Sequence, residues 1–190
     1  MKLIKTMVLT LVILSVMSAA GFAQVDFMGK TDTVFADLTK ITDDSWSITI
    51  NVTNDENILG LSVPLKLSGA NVKVVADSAS YSGGRVENFA YKGFRPDTAI
   101  QCVMLGMIAN LGPSENKLAP GAGRIVTIFV SSLKGEKIEK LSVDTTTLSP
   151  DNSLMLVADA ADLDAETDTI PKHLDKRLEI YPAFVSRVIK

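Results

Sequence analysis

Between Ser45 and Thr53 the chain reads Ser-Trp-Ser-Ile-Thr-Ile-Asn-Val-Thr. Trp46, Ile48, Ile50 and Val52 share one phase of a period of two; Ser45, Ser47, Thr49 and Asn51 share the other. A strand sends successive side chains to opposite faces, so this pattern predicts a β-strand with one buried face and places Trp46 in a core. The pattern recurs from Leu59 to Ser68, with Leu59, Leu61, Val63, Leu65 and Leu67 on one side. Pro64 interrupts that segment and lacks an N–H, which predicts a sheet edge or a bulge there. Further strands are predicted over Thr33–Leu38, Val72–Asp77, Ala99–Ile108, Arg124–Ser131, Ile138–Val143, Leu154–Ala158 and Arg177–Val185. Ala99–Ile108 and Arg124–Val130 are apolar on both faces, as expected of central strands covered on both sides. A helical period appears nowhere over three turns; Ala158–Thr167, rich in Ala and Asp, predicts at most one short turn.

About nine short strands joined by polar or Gly/Pro-bearing connections predict an all-β fold, a two-sheet β-sandwich of jelly-roll or immunoglobulin-like type. Half-polar strands suit two sheets with one face each toward water. Two connections are long. Ser78–Asp97 carries Gly83-Gly84 and Gly93; Asn110–Gly123 carries Gly112-Pro113 and Pro120-Gly121. Long loops on a rigid sandwich are where binding tends to reside.

The pattern differs at the N-terminus. Lys2 and Lys5 precede an apolar run from Met7 to Ala20, closed by Gly21-Phe22-Ala23. A basic start, an apolar middle and small residues at the end predict a signal peptide over 1–23, cleaved after Ala23. The run is short for a membrane span, and no cysteine near the cut would take a lipid. One domain is then expected over 24–190, with no membrane span in the mature chain and a secreted, periplasmic or cell-surface destination.

Of the 19 Lys and Arg, two lie in the leader, leaving 17 against 22 acids, a mature charge near −5. That balance argues against nucleic acid as a partner, since phosphate binding needs a basic surface. Cys102 is the only cysteine, so no intramolecular disulfide forms. It sits in the apolar run Ile100–Leu105 and reads as a buried structural thiol; the only histidine, His173, lies in a polar stretch.

One candidate binding surface stands out. Tyr81, Phe89, Tyr91 and Phe94 place four of the chain's eleven aromatics within fourteen residues, interleaved with Arg85, Lys92 and Arg95. Rings stack on sugars and anchor protein interfaces, and arginine adds forked hydrogen bonding. The stretch reads first as a long loop folding its aromatics down over an open end of the core, with the binding surface as the alternative. A second candidate is the acidic run Asp159, Asp162, Asp164, Glu166 and Asp168. Hard cations gather several carboxylates. A helix–loop–helix calcium loop counted from Asp162 would need glycine at its sixth place and glutamate at its twelfth; Thr167 and His173 stand there. The run reads as a solvated acidic loop, with a loose structural Ca²⁺ site on Asp162, Asp164, Glu166 and Asp168 as the alternative. No GxSxG, HExxH, phosphate-cradling loop or CxxC occurs. Gly121-Ala122-Gly123-Arg124 precedes a strand and reads as a turn. The chain is expected to be no enzyme.

The order of these segments resembles the cohesin family, within the carbohydrate-binding-module superfamily. The resemblance rests on Asn57–Leu67 as a strand entered through a Gly-Leu turn, on Val72-Lys73-Val74-Val75 after it, on the glycine-led strand Gly121–Val130, and on a β-rich tail at Arg177–Val185. It spans roughly Asp32 to Phe184. The family's Tyr-Asp-Pro turn is absent; Leu67-Ser68-Gly69-Ala70 occupies its place. The resemblance implies a non-catalytic recognition or scaffold module that binds a dockerin-like protein partner or a polysaccharide on a sheet face, in an extracellular or envelope assembly. A self-associating periplasmic or surface structural subunit is the alternative, and a small glycoside-active enzyme a distant third.

Overall fold

The computed structural model describes residues 26–111, 116–163 and 178–189. The leader predicted at 1–23 lies outside them. Eleven strands and one 3-10 turn occur among the described residues: β1 Thr33–Lys40, β2 Ser45–Asn54, β3 Ile58–Gly69, β4 Val74–Ser80, β5 Tyr91–Asp97, β6 Cys102–Ile108, β7 Gly121–Ser132, β8 Leu141–Thr145, β9 Met155–Ala158, the turn Ala160–Asp162, β10 Glu179–Ile180 and β11 Ala183–Val188. They form two facing sheets. One runs β11-β1-β2-β7-β4 and the other β10-β9-β3-β6-β5, with β8 also paired to β3. All pairings are antiparallel except β1 with β11. The predicted all-β sandwich is the observed fold.

The period-two segments supply the core. Ala36 pairs with Ile50 and Leu38 with Ile48, while Ile50, Ile48 and Trp46 face Val126, Ile128 and Val130 across β7. From the other sheet Leu61, Val63, Leu65 and Leu67 meet them with Val103, Leu105 and Met107. All these side chains are buried, Trp46 included. Each such residue gains about 1.5–3 kcal/mol from leaving water, which offsets the ordering entropy without any disulfide.

Several elements depart from the sequence-based expectation. Pro64 is neither at an edge nor in a bulge. It lies mid-way along β3, paired to Met104 of β6. On its other side β9 pairs only as far as Ser62 and β8 only from Leu65. The Pro64 carbonyl accepts from the Thr146 amide (3.2 Å) and from Thr145 Oγ1 (3.2 Å). A strand residue's N and O point to the same side, so the missing N–H falls in the gap between two half-length partners. The bulge lies instead at Leu59, where the β3–β9 register shifts between Ile58 and Gly60; Ile58 is buried and Leu59 is not.

The long connection expected over Ser78–Asp97 contains a strand, β5. Its residues Tyr-Lys-Gly-Phe-Arg-Pro-Asp lack alternating hydrophobicity because β5 is an edge strand, where Pro96 is tolerated. The tail expected as one strand divides at Tyr181-Pro182 into β10 and β11, which join opposite sheets. The predicted short turn near Ala158 is the 3-10 turn, capped by Asp159 Oδ1 accepting from the Ala161 amide at 3.0 Å.

Candidate functional site

The two strands apolar on both faces take a different role from the one expected. The sandwich has two layers, so among the described residues no third layer covers the outer faces of β6 and β7, although Cys102 and Pro64 on that face are buried by their neighbours. Ile108 on β6 and Phe129 on β7 are exposed. On β6 this outward apolar phase meets that of its neighbours in register. Tyr91, Ile108, Gly60 and Val157 form one cross-strand row; Gly93, Gly106, Ser62 and Met155 form the next; Arg95, Met104 and Pro64 the third.

The middle row is low because two of its members have no side chain. The Tyr91 ring occupies the space. A Cβ added to Gly93 would stand 2.6 Å from the Tyr91 hydroxyl oxygen, and one on Gly106 would stand 3.8 Å from ring Cε1. Tyr91 is nevertheless 48% exposed and Ile108 42%, so ring and side chain present one continuous apolar strip. Lys66, Asp97 and Asp144 border it through the pairings Lys66–Cys102, Cys102–Asp97 and Lys66–Asp144. An apolar centre within a charged rim is the anatomy of a protein-docking surface.

Alternation along β5 and its preceding loop separates the seven candidate binding residues. Tyr91 and Arg95 point outward on this face. Phe94 points inward against the core and Phe89 is buried in it. Tyr81 packs against the core and its hydroxyl donates to the Gly93 carbonyl at 2.9 Å; burial first, then the neighbouring Tyr91, pushes its phenol up to about 12. Lys92 Nζ donates to the carbonyls of Glu87 (2.7 Å) and Phe89 (2.8 Å), closing the loop before β5. The Arg85 guanidinium donates to the carbonyls of Val52 (2.9 Å), Gly121 (3.0 Å) and Ala119 (2.5 Å), stapling three segments. Met104, Ile108, Met155 and Val157 were not singled out from sequence; the signal for the first two was the doubled apolar phase of Ala99–Ile108.

Of the acidic run, Asp162 accepts from the Asn57 amide (2.5 Å) and from Asn57 Nδ2 (3.1 Å), fastening the 3-10 turn to the β2–β3 turn. Asp164, Glu166 and Asp168 lie outside the described residues, as does His173. Cys102 is buried, its Sγ 3.5 Å from the Ile100 carbonyl; burial raises the thiol pKa against the opposing pull of Lys66. The opposite sheet carries an open groove of about 360 Å³ lined by Phe35, Asp37, Asn51, Thr53 and Arg187 among others. Its polar groups already satisfy one another: Arg187 Nε donates to Asp37 Oδ1 (2.5 Å), Asn51 Nδ2 to Asp37 Oδ2 (2.9 Å), and the guanidinium stands 5.9 Å from the Phe35 ring centroid.

No protein-family model and no curated protein sequence matches the chain. Solved structures do. A type I cohesin from a Clostridium thermocellum cohesin–dockerin complex superposes with a TM-score of 0.56 at 11% identity, covering 84% of this chain and 100% of that one. The sixth cohesin of Acetivibrio cellulolyticus scaffoldin B, solved with a mutant Cel5 dockerin, gives 0.53 at 10% identity, with 84% and 98% covered. A non-cellulosomal cohesin from the archaeon Archaeoglobus fulgidus gives 0.50 at 9%, with 85% and 93% covered. The fold is cohesin-like. At these identities the likeness lies in the path of the backbone, which is why it carries no motif with it. The cohesin-like domain has no described helix long and apolar enough to cross a membrane.

Proposed function

We propose that this cohesin-like domain is an exported, non-catalytic recognition module that docks a protein partner on the outer face of β5, β6, β3 and β9. The observation that carries the reading is the open strip of Tyr91, Ile108, Met104, Met155 and Val157. Its apolar residues belong to strands whose other face is already in the core; Met104, Met155 and Val157 are half-buried, while Tyr91 and Ile108 remain open to a partner. Two of the similar structures are complexes of cohesins with dockerins, which makes a dockerin-like partner the first class to test. Tyr91 anchors the centre and Arg95 the rim; aromatic and arginine side chains dominate such interfaces.

The test is capture from secreted and envelope fractions, followed by a titration with the purified, identified partner. Tyr91→Ala is expected to weaken binding and Ile108→Asp to abolish it, and Arg187→Ala on the opposite sheet to leave it intact. Binding indifferent to Tyr91 and Ile108 would sink the proposal. A polysaccharide as the sole captured species would move the module to glycan recognition.

A second reading has its own observation. Strand β11 is a sheet edge, and its Val185 and Val188 are exposed, 43% and 51%. Unpaired edges template pairing with another chain. Self-association would appear as concentration-dependent sedimentation abolished by Val185→Lys.

A further inference from the structure

Away from the docking face, at the end of the sandwich where residues 26–32 lead into β1 and residues 55–57 join β2 to β3, acidic side chains converge. Asp26, Asp32 and Asp55 each place a carboxylate oxygen within 4.8 Å of the other two. The backbone arranges this. Asp26 Oδ1 accepts from the Met28 amide (3.1 Å) and its Oδ2 from the Asp32 amide (2.8 Å), while Asp55 Oδ2 accepts from the Lys30 amide (2.7 Å). Gly29, at φ +62°, passes so close to the Asp55 carboxylate that a Cβ there would overlap it. The loop thus folds around a shared point.

Asp32 is only 1% exposed and neither of its oxygens has a hydrogen-bond donor. Glu56, next to Asp55 in the turn, is 5% exposed and also lacks an N–H or O–H donor of ordinary geometry; its carboxyl stands against that of Asp32, close enough for the two to share a proton. The Asp55 amide favours the Asp32 charge from nearby without forming a hydrogen bond of ordinary geometry. Arg85 is the cation whose charge reaches Asp32, but its guanidinium is spent on three carbonyls. Buried carboxylates without a counter-charge are strongly disfavoured unless they are paired, protonated or bound to metal. The donors here are all oxygen, with no imidazole or thiolate, which selects a hard cation. The set comes from an irregular loop and a turn, which suits the flexible coordination of Ca²⁺ better than the strict octahedron of Mg²⁺.

We propose that Asp26, Asp32 and Asp55, backed by Glu56, form a Ca²⁺ site that ties the segment before β1 to the β2–β3 turn. This site is distinct from the acidic run at Asp162–Asp168, which reads from sequence as a solvated loop with a Ca²⁺ site only as the alternative. The two adjoin, because Asn57 in the same turn is held by Asp162. Binding there would stiffen the whole end of the sandwich.

The competing occupant is a proton. Burial first pushes both carboxyls upward; a hydrogen bond between the two side chains then raises Glu56 further and partly restrains Asp32, and the charges of neighbouring acids add to the rise. The experiment is calorimetric titration of the purified protein with CaCl₂ at pH 7.5, together with melting curves in calcium and in chelator. One ion per chain is expected to bind and to raise the melting temperature. Asp55→Asn, at an exposed position that leaves the core untouched, and Asp32→Asn are each expected to weaken binding by about tenfold or more. Asp32→Asn should melt no lower than the parent in chelator, since it removes a buried charge. Absence of calcium binding, with a melting temperature that falls as pH rises from 5 to 8, would show that the pair holds a proton and overturn the site. So would calcium binding that survives Asp55→Asn and is lost with Asp164→Asn and Glu166→Gln.

Discussion

The ring of Tyr91 lies over Gly93, two residues further along the same strand, with 2.6 Å between its hydroxyl oxygen and the place a Gly93 Cβ would take. The glycine therefore sets where the aromatic side chain rests on the sheet. Gly93→Ala would push against the far end of a movable side chain rather than backbone, so the ring shifts and the fold survives. Tyr91→Ala is expected to weaken partner binding by about 1–2 kcal/mol, roughly 5–30-fold, and Gly93→Ala by less. Both should melt within a few degrees of the parent. Titration with the identified partner, beside melting curves, checks this; equal affinity for all three proteins would remove Tyr91 from the interface.

Arg85 belongs to the fold rather than to the docking face. Arg85→Ala leaves the carbonyls of Val52, Ala119 and Gly121 without their shared donor. A destabilisation of about 1–3 kcal/mol is expected from urea unfolding. Arg85→Lys should recover only part of it, because an ammonium cannot spread three donors in a plane. Partner affinity of the folded variant should not change.

Cys102 is buried and its thiol pKa is raised by burial, so it is unreactive in the native state. Modification by a disulfide reagent at neutral pH is expected to follow the unfolding curve in urea. Rapid stoichiometric labelling of the native protein would contradict the burial.

The 3-10 turn supplies a pH dependence. The Ala161 amide, then Lys117 at 3.2 Å, holds the Asp159 carboxyl below its usual value. A carboxyl depressed in the folded state adds stability that is present above the unfolded pKa near 4 and is lost as pH falls through the folded value. Asparagine still accepts from the Ala161 amide, so Asp159→Asn is expected to lower stability at pH 7 by only about 0.2–0.5 kcal/mol, through loss of the exposed Lys117 pair, and to flatten the acid limb of the unfolding profile. Melting curves between pH 7 and pH 3 decide it.

How much was readable in advance depends on the range of the interaction. Strand β2 was legible because Trp46, Ile48, Ile50 and Val52 need only a local rule, alternation about a flat backbone, to become one buried face. Strand β5 was not. Its inward residues are Lys92, Phe94 and Pro96, and it is a strand only because β6 pairs with it along its whole length. Pro64 predicts an edge or a bulge from sequence, because its place mid-strand depends on where β9 ends and β8 begins. The seven neighbouring aromatic and basic residues divide between the two readings the sequence allowed: alternation and the loop before β5 send Phe89 and Phe94 into the core and leave Tyr91 and Arg95 outside.

The amino-acid sequence by itself determined the fold class and the core, since period-two hydrophobicity is a property of each segment alone. It also signalled that Ala99–Ile108 has more apolar surface than one core needs. Only the tertiary structure decided what becomes of that surplus and which acids meet. Both depend on register between paired strands, which lines up Tyr91, Ile108, Gly60 and Val157 and, at the open end of the β1–β2 hairpin, brings Asp32 beside Asp55 and Glu56.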